Sequence, residues 1–191
     1  IFKEFFNKTL NTKNIDSRNE NFYLNTDKRE NYLFNSGINA IEDCDFIFLI
    51  GTYPRYEATI LNARIRKAYL KNKTKIISTN NVGDLTYKYD FLDGNTNNIK
   101  DIIEGKHEVS NLIKEAKKPM IIIGQSIFKS KSGKYIFESI KSFLDKNNKI
   151  SEEWNSLNII NENAAAVGSY DLGIYNLPKA KADIFENLKN N

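Results

Sequence analysis

Two glycine-ended segments hold the residues best placed for chemistry, Gly51-Thr52-Tyr53-Pro54-Arg55 and Gly124-Gln125-Ser126. A glycine that ends a strand lets a phosphate or another backbone approach closely. A helix starting just beyond it offers free N–H groups to an anion. The candidates for such a pocket are Gly51, Thr52, Pro54, Arg55, Glu57 and Arg64. The competing reading is that each glycine only stops its strand and permits a tight turn. Neither GxGxxG nor GxxxxGK[ST] is present, so the residues alone leave both readings open.

The other candidates stand apart. Cys44 could offer a thiolate to a metal, or serve as a small core residue ahead of a buried strand. His107, among Gly105, Lys106 and Glu108, reads as an exposed loop residue. Arg55, Arg64, Arg66 and Lys67 read as a solvated helix face, or as charges that pair to fill an anion site, Arg55 with Glu57 among them. One cysteine and one histidine cannot build a disulfide, an iron–sulfur cluster or a Cys/His zinc site within the chain. No metal site within the chain is therefore expected, and none of these side chains stands out as catalytic.

The elements that position these residues alternate in period. Phe46–Ile50 is a continuous apolar run stopped by Gly51, the pattern of a strand buried on both faces. From Ala58 to about Lys71 the period becomes helical, with Leu61, Ile65, Ala68 and Tyr69 on one face. Lys75–Ser78 and Met120–Ile123 predict further strands. Helices are predicted over 99–104, 109–117 and 133–146, and a last one over Trp154–Val167. Asn80–Asn98 reads as loop, Gly37–Asp43 as a helical turn, and Tyr32–Phe34 as a short strand or first turn. Strands alternating with helices imply parallel β-α-β units, hence an α/β, Rossmann-like, mostly parallel sheet flanked by helices.

The expected organisation is a polar extension over 1–30, a Rossmann-like domain over 31–173 and a charged tail over 174–191. Within the extension, Ile1-Phe2 and Phe5-Phe6 suggest one amphipathic turn. Asn7–Lys28 reads as an exposed connection long enough to wrap a neighbouring chain. The tail suggests a short helix around Ile184, Phe185 and Leu188.

A length of 191 residues suits one domain, and a net charge of +4 is only mildly basic. Five arginines against twenty-three lysines argue against reading of nucleic-acid bases. No apolar run reaches the roughly 20 residues of a membrane span. The heavy use of Asn, Lys and Ile (27, 23 and 25 residues) matches A/T-rich codons, as in an organellar or an AT-rich nuclear genome.

Phe46-Ile-Phe-Leu-Ile-Gly-Thr-Tyr-Pro-Arg-Tyr-Glu-Ala58 and Leu61-Asn-Ala-Arg-Ile-Arg-Lys67 resemble the G-T-N-P-R-x-E-A…N-A-R-I-R-K segment of the NADH dehydrogenase subunit 11 family. Asp84-Leu-Thr-Tyr-Lys-Tyr-Asp90 and Glu115-Ala-Lys-Lys-Pro-Met-Ile-Ile-Ile-Gly124 resemble its D-L-T-Y-x-Y and E-A-K-K-P-M segments, in the same order. Trp154–Ile160 and Asp171-Leu-Gly173 echo it more weakly.

The resemblance implies the molybdopterin-oxidoreductase-like, carboxyl-terminal domain of the largest peripheral-arm subunit of mitochondrial complex I. It implies a structural part of NADH:ubiquinone oxidoreductase, on the matrix side of the inner membrane, without a cofactor of its own. Partners would be other complex I subunits, above all the cluster-bearing amino-terminal part of the same subunit. Iron–sulfur clusters and FMN would sit in those partners. The alternative is an oxidoreductase fragment that still binds a molybdopterin dinucleotide. Tyr53 stands where the family has Asn, and Asp93-Gly94 inverts its usual L-G order. The second strand runs into Thr79-Asn80-Asn81 rather than the wider family's acidic D-P-R segment, so the carboxylate that recognises guanine is missing.

Overall fold

The structure, a computed structural model, describes residues 1–12, 15–17, 22–23 and 25–175. After α1 (Phe2–Glu4) come β1 (Phe46–Ile50), α2 (Pro54–Glu57), α3 (Thr59–Asn72), β2 (Lys75–Ser78) and β3 (Asp90–Phe91). The chain continues through α4 (Thr96–Ile103), α5 (Glu108–Glu115), β4 (Pro119–Gly124), α6 (Gln125–Lys129), α7 (Gly133–Lys146), β5 (Leu157–Ile160) and α8 (Ala166–Asp171). All five strands run parallel in the order β3-β2-β1-β4-β5. The chain builds outward from β1 to β2 and β3, then crosses back to lay β4 on the other side of β1. The switch point of this open sheet, where ligands bind in such folds, lies between β1 and β4.

Period-two alternation sorts the strands into two cores. Phe46, Phe48 and Ile50 of β1 join Ile121 and Ile123 of β4, under Ile99 and Ile102 of α4, Val109 and Ile113 of α5, and Phe137 and Leu144 of α7. Ile47 and Leu49 join Met120 and Ile122 on the opposite face, under Ile41, Leu61, Ile65 and Ala68. Asn62 of α3 is buried; its amide donates to Leu85 O (3.1 Å) and its carbonyl accepts from the Tyr87 hydroxyl (2.8 Å). These bonds pin the Asp84–Asp90 segment over α3, and burial pushes the Tyr87 hydroxyl pKa up.

Several expectations change. The helix expected over Trp154–Val167 is instead strand β5 followed by α8. The spacing of Leu157, Ile160, Ala164 and Val167 fits a helix, but backbone pairing decides the conformation. Ile121 pairs with Leu157 and Ile123 with Ile159, while Phe34 bridges Asn158 from the other side. Leu157 and Ile159 enter one core and Ile160 the other, as a strand requires. The expected loop at 80–98 contains the two-residue edge strand β3. The helical turn expected at Gly37–Asp43 does form, as the 3₁₀ turn Ile38–Asp43, and Tyr32 ends an earlier one, Arg29–Tyr32, ahead of the Phe34 bridge.

Part of the connection expected to be exposed is tucked in. Phe22 is buried in the α7-side core, and the Tyr23 N–H donates to Phe128 O (2.9 Å). Arg29 grips Asp171 of α8 through two N–H bonds, at 2.9 and 2.8 Å, and Tyr32 donates to the same carboxylate at 2.9 Å. The helix expected around Ile184, Phe185 and Leu188 lies outside the described residues.

Candidate functional site

At the switch point the ends of β1 and β4 touch. Gly51 has φ of +58°, and its N–H donates to the Thr79 hydroxyl at 3.1 Å. A Cβ on Gly51 would stand 2.3 Å from Ile127 Cγ1, and one on Gly124 would stand 2.2 Å from Gly51 O. The Ser126 hydroxyl donates to Gly51 O, closing the seam from the α6 side. Both glycines therefore serve close approach of backbone and side chain within the chain itself. Gly94 does the same one strand over, since its Cβ would stand 2.7 Å from Thr79 O.

The donors of the first turn are also engaged. Thr52 is buried, and its hydroxyl donates to Glu57 Oε2 at 2.5 Å. The Tyr53 N–H donates to Glu57 Oε1 at 3.0 Å. Pro54, buried at the first position of α2, has no N–H to offer. The Glu57 carboxylate thus stands as an internal anion where this turn would present donors to a ligand.

The two arginines go elsewhere. Arg55 Nη1 donates to Asp84 O (2.6 Å) and to Asp84 Oδ2 (2.9 Å). The Thr86 N–H, and then Arg55, hold the Asp84 carboxyl below its ordinary range. The expected Arg55–Glu57 pair does not form; each has the other partner just named. Arg64 donates to Glu42, which also pairs with Lys67 at 2.7 Å. Hydrogen bonds from Lys67 and then Arg64 lower the Glu42 pKa. Glu42 lies ahead of β1, at the amino edge of the sheet, so Arg64 is no part of the crevice. The structure brings together Gly51, Thr52, Pro54 and Glu57, places Arg55 at their rim and removes Arg64.

Neither isolated candidate joins them. Cys44 is buried ahead of β1 with its thiol against Ile41 O (2.9 Å), and burial pushes its pKa to about 12, aided by Asp45. His107 lies in the connection between α4 and α5 as expected, but it is half-buried rather than exposed, and its Nδ1 accepts the Val109 N–H (3.2 Å) to cap α5. Among the described residues no three His, Cys, Asp or Glu side chains group to hold a metal, and no helix is long and apolar enough to cross a membrane. Sequence reading missed Ile127, Ser126 as the seam's hydroxyl, and Glu57's hold on Thr52 and Tyr53. The spacing of Thr52, Tyr53 and Glu57, a polar pair followed by a carboxylate one helical turn on, was the available signal for the last.

An open parallel sheet in the order β3-β2-β1-β4-β5, flanked by helices, defines a Rossmann-like α/β domain. The sequence profile of the Molybdopterin oxidoreductase family matches residues 1–190, and the chain belongs to that family. It is 34% identical over 186 residues to the NADH-ubiquinone oxidoreductase 75 kDa subunit of Reclinomonas americana, covering 91% of this chain and 27% of that protein. It is 33% identical over 172 residues to the mitochondrial NADH dehydrogenase [ubiquinone] iron-sulfur protein 1 of Solanum tuberosum, covering 90% and 23%. It is 36% identical over 157 residues to the mitochondrial 78 kDa subunit of NADH-ubiquinone oxidoreductase in Neurospora crassa, covering 81% and 21%. The chain spans about a quarter of the length of these relatives.

Proposed function

We propose that this chain is a structural, non-catalytic part of respiratory complex I, NADH:ubiquinone oxidoreductase, and carries no cofactor of its own. It packs beside the iron–sulfur-bearing portion of the same subunit, on the matrix side of the mitochondrial inner membrane. Electrons pass through iron–sulfur clusters and FMN held by its partners. The names of its relatives, two of them mitochondrial, support the assembly and the compartment. The codon-like bias of the composition supports an organelle-encoded gene.

One observation supports the cofactor-free reading: Ile127 packs against Gly51, and Glu57 takes the Thr52 hydroxyl and the Tyr53 N–H. A pyrophosphate at Gly51 would need the space taken by Ile127 and the donors taken by Glu57. The residues present do not fit a pterin dinucleotide there, and no step of electron transfer is routed through one.

The test is purification of the native assembly through this chain, followed by subunit, metal and pterin analysis. Co-migration with NADH-oxidising subunits, without molybdenum or pterin, is expected. A complex lacking NADH-oxidising subunits would overturn the assignment. Pterin in amounts equal to the chain would favour the cofactor-binding alternative.

A further inference from the structure

α3 carries large apolar side chains beyond the face that the sheet buries, set among its cations. Leu61, Ile65 and Ala68 are buried against β1 and β2. On the outward side Ile60, Ala63 and Leu70 recur at helical spacing, with Ile60 70% and Leu70 58% exposed. Tyr56 of α2, 74% exposed, stands just ahead of them. Ile60 also forms the rim of an open apolar concavity of about 550 Å³, shared with Phe34, Ile38, Ile160 and Val167.

Charge indicates what covers this face. Between Pro54 and Lys73 the cations are Arg55, Arg64, Arg66, Lys67, Lys71 and Lys73, and Glu57 is the lone acid. Asp84 engages Arg55, and Glu42 engages Arg64 and Lys67. Among the described residues, Arg66, Lys71 and Lys73 have no carboxylate within ion-pair distance. Two copies meeting through this face would set cations against cations, which disfavours self-association.

We propose that the outward side of α3 and the adjoining concavity are the docking surface for a different protein chain, one that presents an apolar side chain to the concavity and carboxylates along α3. The concavity takes the apolar group, and the free cations at the far end of α3 meet the acids. This rests on the reading that the chain works inside an assembly.

The test uses the tagged chain in its native assembly, comparing wild type with Ile60→Asp and with the double variant Arg66→Glu/Lys71→Glu. Each variant is expected to reach the assembly at about a tenth of the wild-type level or less. A photo-crosslinking residue at Ile60 provides a second readout, with one at Ser142 of α7 as control. Position 60 is expected to capture one acidic peptide of another subunit that position 142 does not. Wild-type incorporation of both variants, or capture from position 60 of a second copy, a basic segment or nothing, overturns the docking surface alone. Absence of the wild-type chain from any NADH-oxidising assembly overturns the functional reading and this surface with it.

Discussion

On one face of the sheet α4, α5 and α7 close over β1 and β4, burying Phe48, Ile121 and Ile123 beneath Ile102, Ile113 and Phe137. On the other face α3 covers Ile47 and Leu49, yet Ile160 at the end of β5 lines an open concavity and Ile60 faces outward. The first face is a finished core within a single chain. The second is finished only where α3 and the Asp84–Asp90 segment reach, and the rest is an open apolar concavity at the start of α3, with cations unpaired among the described residues further along that helix. The carboxyl edge between them is closely packed where β1 meets β4: a Cβ on Gly51 would meet Ile127, one on Gly124 would meet Gly51 O, and Ser126 bonds across the seam. Close packing at the switch point, together with openness on a helix face, is the contrast on which the proposed structural role rests.

The sharpest way to break this contrast is truncation on each face. Phe137→Ala, with a fully buried ring, is expected to lower stability by about 3–5 kcal/mol, measured by denaturant unfolding. Ile60→Ala should change it by no more than about 0.5 kcal/mol, because the side chain is already largely in water. Equal losses would refute the unfinished second face.

Gly51→Ala tests the closed edge. The left-handed backbone and the Ile127 contact together predict a loss of about 1–3 kcal/mol. An open, ligand-ready turn would tolerate the same methyl group in space and show only the cost of the positive φ.

A smaller effect separates buried from exposed chemistry. With its pKa at about 12, the Cys44 thiol is almost wholly protonated at pH 8, so alkylation of the native chain should be limited by unfolding. Alkylation as fast as a free thiol's would place Cys44 at an accessible edge.

The smallest effect is acid sensitivity. Asp171, held by Arg29 and Tyr32, titrates below its ordinary range, as do Asp84 and Glu42. A carboxyl whose folded pKa is depressed contributes stability above its unfolded pKa, near 4, and loses it as pH falls through the folded value. Asp171→Asn should therefore lower the melting temperature modestly at pH 7, with the gap to wild type closing towards pH 3. A gap independent of pH would mean that the Arg29–Asp171 grip is not electrostatic.

Much of this frame is legible in the residues. The apolar runs at Phe46–Ile50 and Met120–Ile123, each ended by glycine, announce parallel strands, and the α3 period is plain. β5 escapes because four residues with apolar positions three apart suit either period, and its partners lie far away in sequence at Ile121 and Phe34. The turn from Gly51 to Arg55 is legible as a site, but its contents are not. Arg55, Glu57 and Arg64 are near one another in sequence, yet Asp84, Thr52 and Glu42 divide them, and Ile127 arrives from beyond another strand. Local spacing reveals the shape of a pocket, whereas long-range contacts decide whether it is empty.

The crevice at Gly51 is tested most directly by releasing bound small molecules, under denaturing conditions, from the native assembly purified through this chain. Fluorescence for pterin and elemental analysis for molybdenum then give the ratio of each to the chain. A crevice filled by Ile127 and Glu57 predicts NADH-oxidising subunits alongside neither pterin nor molybdenum, and one pterin per chain would contradict it.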